Sequence, residues 1–174
     1  MAVFPKTSEP GRWDSQKSAD YHALGQSVDE LKVMTYSFSG PWSGPGPQAP
    51  LAWTRAVLGF AQSVVPPAKV YMGLPFYGFD WHKGSVTAVH AAEAAALVAQ
   101  HHFKVDHNPA SGEADLSYVD KAGVTHVLWF QDRSSIAAKL RLLATSFPKL
   151  GGIAIWELRD EDPGFWPIIE EALK

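Results

Sequence analysis

The chain has no cysteine. That excludes disulfides, thiolate nucleophiles and Cys-based zinc sites, and it leaves the redox compartment undecided. There is no basic run. Fifteen Lys and Arg stand against 18 Asp and Glu, a formal net charge of −3, so a nucleic-acid partner is not expected. No apolar run is long enough to span a bilayer, and no membrane partner is expected. The opening Met1-Ala2-Val3-Phe4-Pro5-Lys6 has neither the charged lead nor the long apolar region of a signal peptide, and localisation stays open. No glycine-rich phosphate fingerprint follows any apolar run, which argues against dinucleotide binding. His101, His102 and His107 lack a regular ligand spacing and read as surface histidines, so neither a metal nor a cofactor is expected.

What is present is a globular composition. The 174 residues are 46% apolar and 19% charged, enough for one domain with a real core. Val70, Tyr71, Met72 and Leu74 form a short apolar run between Pro66-Pro67 and the breakers Gly73, Pro75 and Gly78. That is the pattern of a buried strand of a parallel sheet. Phe76, Tyr77, Phe79 and Trp81 follow it among Gly and Pro. Aromatics on a rigid turn beyond a strand suit either a sugar-binding cleft or a hydrophobic loop packed under its neighbours.

A strand-then-helix rhythm runs on both sides of this segment. Ala2-Val3-Phe4 is strand-like, Thr7–Ser18 reads as a loop, and Asp20 caps a short helix to Gln26. Leu31–Tyr36 is the next strand, followed by the Pro- and Gly-rich loop Ser37–Ala49, whose length suggests function. Pro50 opens a helix to Val64 with Trp53, Val57, Phe60, Ala61 and Val64 on one face. After Trp81 the texture changes. His82–Thr87 is polar, Ala88–His102 is helical, Phe103–Val105 is strand-like, and Asn108–Glu113 is a turn. Leu116–Val119 and Thr125–Phe130 flank a hairpin signal at Lys121-Ala122-Gly123. The rhythm then returns: a helix over Ser134–Phe147 with Ile136, Leu140, Leu143 and Phe147 inward, a strand Gly152–Trp156, and a helix to Leu173 capped by Asp162-Pro163. Alternating β and α argues for a parallel sheet, either a small doubly wound one or half of a (β/α)8 barrel, whose full form needs roughly 250 residues. In both, ligands sit at the C-terminal ends of the strands.

Val33-Met34-Thr35-Tyr36, Met72-Gly73-Leu74-Pro75-Phe76-Tyr77-Gly78 and Gly151-Gly152-Ile153-Ala154-Ile155-Trp156 resemble the last barrel strands of glycoside hydrolase family 18. That family contains chitinases, endo-N-acetylglucosaminidases and spore-germination cell-wall hydrolases, and Tyr77–Trp81 is most similar to the spore-germination branch. The resemblance implies an α/β fold, the C-terminal half of a TIM barrel with four βα units and an α+β insertion after the third strand. It divides the chain into residues 1–82 (barrel strands five to seven and their helices), 83–131 (the insertion) and 132–174 (helix seven, strand eight, helix eight). The first four barrel strands have no counterpart, and Met1 stands against a strand-like run, which suggests a truncated enzyme.

The family's catalytic acid lies in an Asp-x-x-Asp-x-Asp-x-Glu motif, and no such motif occurs in this sequence. No catalytic residue is therefore expected. What the resemblance implies for substrate binding falls on Tyr36, Met34, Ser37, Tyr77, Trp81 and Trp156. Tyr36 would donate to the acetamido carbonyl of an N-acetylglucosamine unit, Met34 would line the same pocket or simply pack in the core, and Trp156 would be the aromatic floor. Ser37 stands where the family usually has Asp. Glu157 should alternate away from the cleft, and Asp160-Glu161-Asp162 reads as a helix N-terminus. The expected partner is a chitin- or peptidoglycan-like glycan. Open edges at Ala2–Phe4 and Gly152–Trp156 suggest a homodimer or a complementing N-terminal half. The competing reading is a non-catalytic sugar-binding or structural module.

Overall fold

The computed structural model describes residues 1–174. Its first part runs β1 (Ala2–Val3), α1 (Asp14–Lys17), α2 (Tyr21–Ser27), β2 (Leu31–Val33), α3 (Leu51–Val64) and β3 (Val70–Pro75). A middle part follows: β4 (Tyr77–His82), β5 (Ser85–His90), α4 (Ala91–His101), β6 (Asp106–Asn108), β7 (Glu113–Val119) and β8 (Thr125–Phe130). The chain ends with α5 (Arg133–Ser146), β9 (Gly152–Trp156) and α6 (Phe165–Ala172). Two sheets result, a parallel one in the order β1-β2-β3-β9 and an antiparallel one in the order β5-β4-β8-β7-β6.

Helices cover one face of the parallel sheet only. Val3, Leu31, Val33, Val70, Met72 and Leu74 point to that face and join Val57, Leu58 and Ala61 of α3, Ile136 and Leu140 of α5, and Phe165 and Ile169 of α6 in one buried cluster. Strand alternation sends the intervening residues to the other face, which no helix covers. A doubly wound sheet carries helices on both faces. The one-sided cover matches the wall of a (β/α)8 barrel, opened between β1 and β9.

The antiparallel sheet departs from expectation at several points. Tyr77–His82 is a strand, not a turn, and the sheet therefore begins at Tyr77 rather than at Lys83. Its turn is the pair Lys83-Gly84, both with positive φ (47° and 73°), the backbone that a two-residue hairpin requires. Because β5 occupies Ser85–His90, α4 starts at Ala91 instead of Ala88. Phe103–Val105 is not a strand; pairing starts at Asp106, opposite Asp115. Other differences lie outside this sheet: β2 ends at Val33 rather than at Tyr36. Four residues of the expected loop before Asp20 form α1. Asp162 does not cap α6 directly: the helix starts at Phe165, two residues later than such a cap would set, after Gly164, whose N–H donates to Asp162 Oδ1.

Candidate functional site

Register decides which side chains share the uncovered face. Ala2 lies beside Lys32, Lys32 beside Tyr71, Gly73 beside Ala154, and Pro75 beside Trp156. Gly73 and Ala154 stand side by side at its centre. Gly73 is required there: a Cβ would stand 2.5 Å from the Val33 carbonyl oxygen and 2.8 Å from the Tyr36 ring. The absence of a side chain at 73 lets the Tyr36 ring lie against the sheet.

Beyond β2 the chain is held by local backbone bonds, Thr35 N to the Val33 carbonyl and Tyr36 N to the Met34 carbonyl, and by one bond to β3. Thr35 Oγ1, fully buried, donates to the Gly73 carbonyl at 2.6 Å. Tyr36 then projects where β2, β3 and β9 end. It lines a cavity of about 110 Å³ together with Met34, Gly73, Ala154 and Trp156. Trp156, 55% exposed, forms the open wall. Its carbonyl accepts from Phe76 N, and the Trp156–Glu157 peptide bond is cis. Three of the expected residues, Met34, Tyr36 and Trp156, thus meet at one place.

Ser37 and Tyr77 meet beside it. Ser37 takes a left-handed φ of 60°, uncommon without glycine. Its hydroxyl is 2.6 Å from the Tyr77 hydroxyl. Tyr77 starts a row on one face of β4, where Tyr77, Phe79 and Trp81 touch edge to face and Tyr77 in turn meets Tyr36 at 6.2 Å between centroids. Trp81 lines neither cavity described here. It is buried, and its indole N–H donates to the Ser43 carbonyl. Its place is under the Ser37–Ala49 loop. Burial pushes the Tyr36 phenol up to about 12. Burial does the same to Tyr77, also to about 12, against the lowering effect of the Ser37 hydrogen bond. The charge of Glu157 adds a little to the rise at Tyr77. Both phenols are neutral hydrogen-bond donors across the physiological range.

A larger cavity of about 600 Å³ opens on the other side of Tyr36 and Ser37, walled by Trp13, Phe38, Trp42 and Trp53. Trp42 is 65% exposed and Trp13 57%. Sequence reasoning singles out none of these for the site. The available signal was large aromatics isolated in polar or Gly/Pro-rich loops. Both walls are anchored. Lys6, almost wholly buried, bonds Glu9 Oε1 and the Gln16 and Ala19 carbonyls and sits over the Tyr21 ring, tying down the Trp13 segment. The Trp42 loop closes on itself through Phe38 N to the Gln48 carbonyl. Its end is gripped by Glu113, whose carboxylate accepts from Gln48 N at 2.7 Å and Ala49 N at 2.6 Å. Lys139 of α5 places its Nζ 3.1 Å from Glu113, both side chains essentially inaccessible. Burial holds the Lys139 ammonium below its ordinary range, opposed by the Glu113 charge. Sequence periodicity does not reveal this pair.

The family model for glycosyl hydrolases family 18 matches residues 3–162, and the chain belongs to that family. It is 33% identical to the uncharacterized glycosylase YvbX of Bacillus subtilis over 100% of this chain and 51% of that protein. It is 32% identical to the cortical fragment-lytic enzyme of Bacillus anthracis over 97% of this chain and 40% of that enzyme. The chain therefore spans about half the length of these relatives or less. The solved structure of a chitinase from Chromobacterium violaceum superposes with a TM-score of 0.90 at 28% identity, covering 99% of this chain and 54% of the chitinase. The fold is accordingly the C-terminal half of a TIM barrel with an α+β insertion after its third strand, a fragment of a family 18 glycosidase related to cortex-lytic enzymes and chitinases.

Proposed function

We propose that this chain is the sugar-orienting half of a glycosidase for β-linked N-acetylglucosamine polymers, chitin or peptidoglycan, and that alone it binds such glycans without cleaving them. The observation that carries this reading is the meeting of Met34, Tyr36 and Trp156 at one cavity where the parallel strands end. In substrate-assisted hydrolysis the acetamido oxygen attacks the anomeric carbon while a carboxylic acid protonates the leaving oxygen. Tyr36, neutral and half-buried, donates to the acetamido carbonyl and fixes that oxygen under the anomeric carbon. The exposed Trp156 ring stacks on the sugar face, and Met34 lines the pocket beside it. Ser37 offers a hydroxyl where a carboxylate would hold the acetamido N–H more strongly, and that hydroxyl is already engaged by Tyr77. The sequence has no Asp-x-x-Asp-x-Asp-x-Glu acid motif, so leaving-group protonation must come from elsewhere. The names of the relatives, a cortical fragment-lytic enzyme and a chitinase, support the same class of glycan.

Calorimetry with N-acetylated chitin oligosaccharides tests the reading. Weak binding is expected, with no turnover by the chain alone, and Trp156→Ala should weaken it several-fold, about 1 kcal/mol for one lost stacking ring. Turnover that scales with the concentration of highly purified chain would overturn the reading, as would unchanged affinity in Trp156→Ala. The exposed Trp13 and Trp42 favour a second reading, a sugar-binding module with no catalytic role. Supplying the N-terminal half of a relative in trans separates the two, since cleavage is restored only if this chain is half of an enzyme.

A further inference from the structure

Asp80, His82 and His126 lie on the opposite face of β4 from the aromatic row. Alternation turns Tyr77, Phe79 and Trp81 one way and Asp80 and His82 the other, toward Leu116 and Leu128 in the small core under α4. His82 is the direct cross-strand partner of His126 on β8, and Asp80 stands two residues before His82. Two positions on one strand face and one across the ladder bring three side chains to a point. Asp80 Oδ2 is 2.6 Å from His126 Nδ1 and 3.5 Å from His82 Nδ1. One donor atom from each of the three falls within 4.8 Å of the others.

Two features distinguish this cluster from an ordinary Asp–His pair. First, it is under-satisfied. Asp80 Oδ1 and His82 Nδ1 are shielded from solvent and make no hydrogen bond. A buried polar atom left unpaired is destabilising, and here two belong to one three-residue cluster. The side chains within reach of Asp80 are both histidines, and neither supplies those missing bonds. Second, the rings are held in place. His126 is sandwiched between His82, at 4.8 Å, and Tyr118, its partner on β7, at 4.6 Å. Its Nε2 is 3.6 Å from Asp120 Oδ2, and Asp120 is itself fixed by Ala122 N and Val124 N in the β7–β8 turn.

We propose that Asp80, His82 and His126 bind a divalent transition ion, Zn²⁺ by ligand type. Two imidazoles and one carboxylate are a nitrogen-and-oxygen set suited to zinc, with water as the fourth ligand. Binding replaces the Asp80–His126 hydrogen bond. Neutral His126 gives the Nδ1 lone pair to the ion and carries its proton on Nε2, where Asp120 accepts it and orients the ring. The ion ties β4 to β8 behind the strand that presents the aromatic row, so its role is to brace the sheet. The exposed histidines differ: His107 is already bonded to Asp132 at 2.6 Å, and His101 stacks on Phe103.

The test is titration of the full chain, stripped with a chelator, with zinc chloride, followed by calorimetry and thermal unfolding. About one Zn²⁺ per chain should bind and raise the Tm, with no response to Mg²⁺. His82→Gln should abolish both effects while retaining the Asp80–His126 bond and the fold, and His101→Gln and His107→Gln should change neither. Asp120→Asn should weaken affinity by about 10-fold. Absence of binding, undiminished binding in His82→Gln, or an equal response to Mg²⁺ would overturn the site. Should His82→Gln unfold, the visible spectrum of the Co²⁺-loaded wild-type chain decides: intense tetrahedral bands support the three-residue site, and a weak, hexa-aqua-like spectrum overturns it.

Discussion

A cluster of 20 buried residues packs on the helix-covered face of the parallel sheet, while one of five lies under α4 in the antiparallel sheet. The first region is secured by apolar area contributed by β1, β2, β3, α3, α5 and α6 together. The second relies on particular pairings: Asp80 with His126, Glu113 with Lys139, and the stack of His82, His126 and Tyr118. Burial of area is non-directional and spreads its contribution over many contacts. A buried charge pair is directional, and losing one member strands the other. The parallel half should thus respond to lost volume, and the antiparallel half to lost partners.

The largest expected effect comes from Glu113→Ala. It leaves the Lys139 ammonium buried without a counter-charge and frees Gln48 N and Ala49 N, so stability in urea should fall by about 3–5 kcal/mol. Replacing both, Glu113→Leu with Lys139→Met, should recover only part of that loss, because the uncompensated charge disappears with its partner while Gln48 N and Ala49 N stay without an acceptor. A single mutant as stable as the wild type would break the comparison. Next come two leucines, one from each core. Leu74→Ala and Leu128→Ala should each cost about 2–5 kcal/mol, with Leu74 at the upper end because its surroundings are larger and less free to collapse. Equal losses in denaturant titration would erase the distinction.

A smaller effect should appear at alkaline pH. The Tyr36 and Tyr77 phenols have folded-state values raised from 10.0 to about 12. A raised value means that the folded state holds its proton more tightly than the unfolded chain. Their contribution is therefore complete below pH 10.0 and is lost as pH rises through about 12. Tyr36→Phe with Tyr77→Phe should flatten the fall in stability above pH 10.0, read by chemical denaturation alongside phenolate absorbance. An unaltered alkaline limb would show that these phenols titrate as they do in the unfolded chain. The smallest effect concerns the uncovered face. β1 and β9 each pair on one side only. Ala2, Gly73 and Ala154 make that face modest in apolar area, so the chain should self-associate reversibly at micromolar concentration. Light scattering through a dilution series checks this, and a monomer at every concentration would show that the edges are not used.

Much of the parallel half could be read locally. Val57 and Ala61 recur at helical spacing and are buried, as are Ile136, Leu140 and Leu143, and the apolar runs at β2, β3 and β9 are strands. The family-like strand ends placed Met34, Tyr36 and Trp156 within reach of one cavity. Periodicity works there because each helix or strand buries one face over several successive residues. Tyr77–Trp81 was not legible in this way. Glycine and aromatics among turn formers read as a loop, and only pairing with β5 and β8 makes them a strand. Glu113 looks like one more turn residue until Lys139 and two backbone amides converge on it.

The sequence by itself therefore determined the βα rhythm, the inward face of α5, the family and the missing acid motif, since each rests on short-range pattern or on ordered local motifs. Only the tertiary structure decided that helices cover one face, that Trp81 lies under a loop, that Trp13 and Trp42 wall the larger cavity, and that Asp80 and His82 meet His126. Those outcomes depend on strand register and on the burial of charged groups, which join residues far apart in the chain and leave no periodic trace in it.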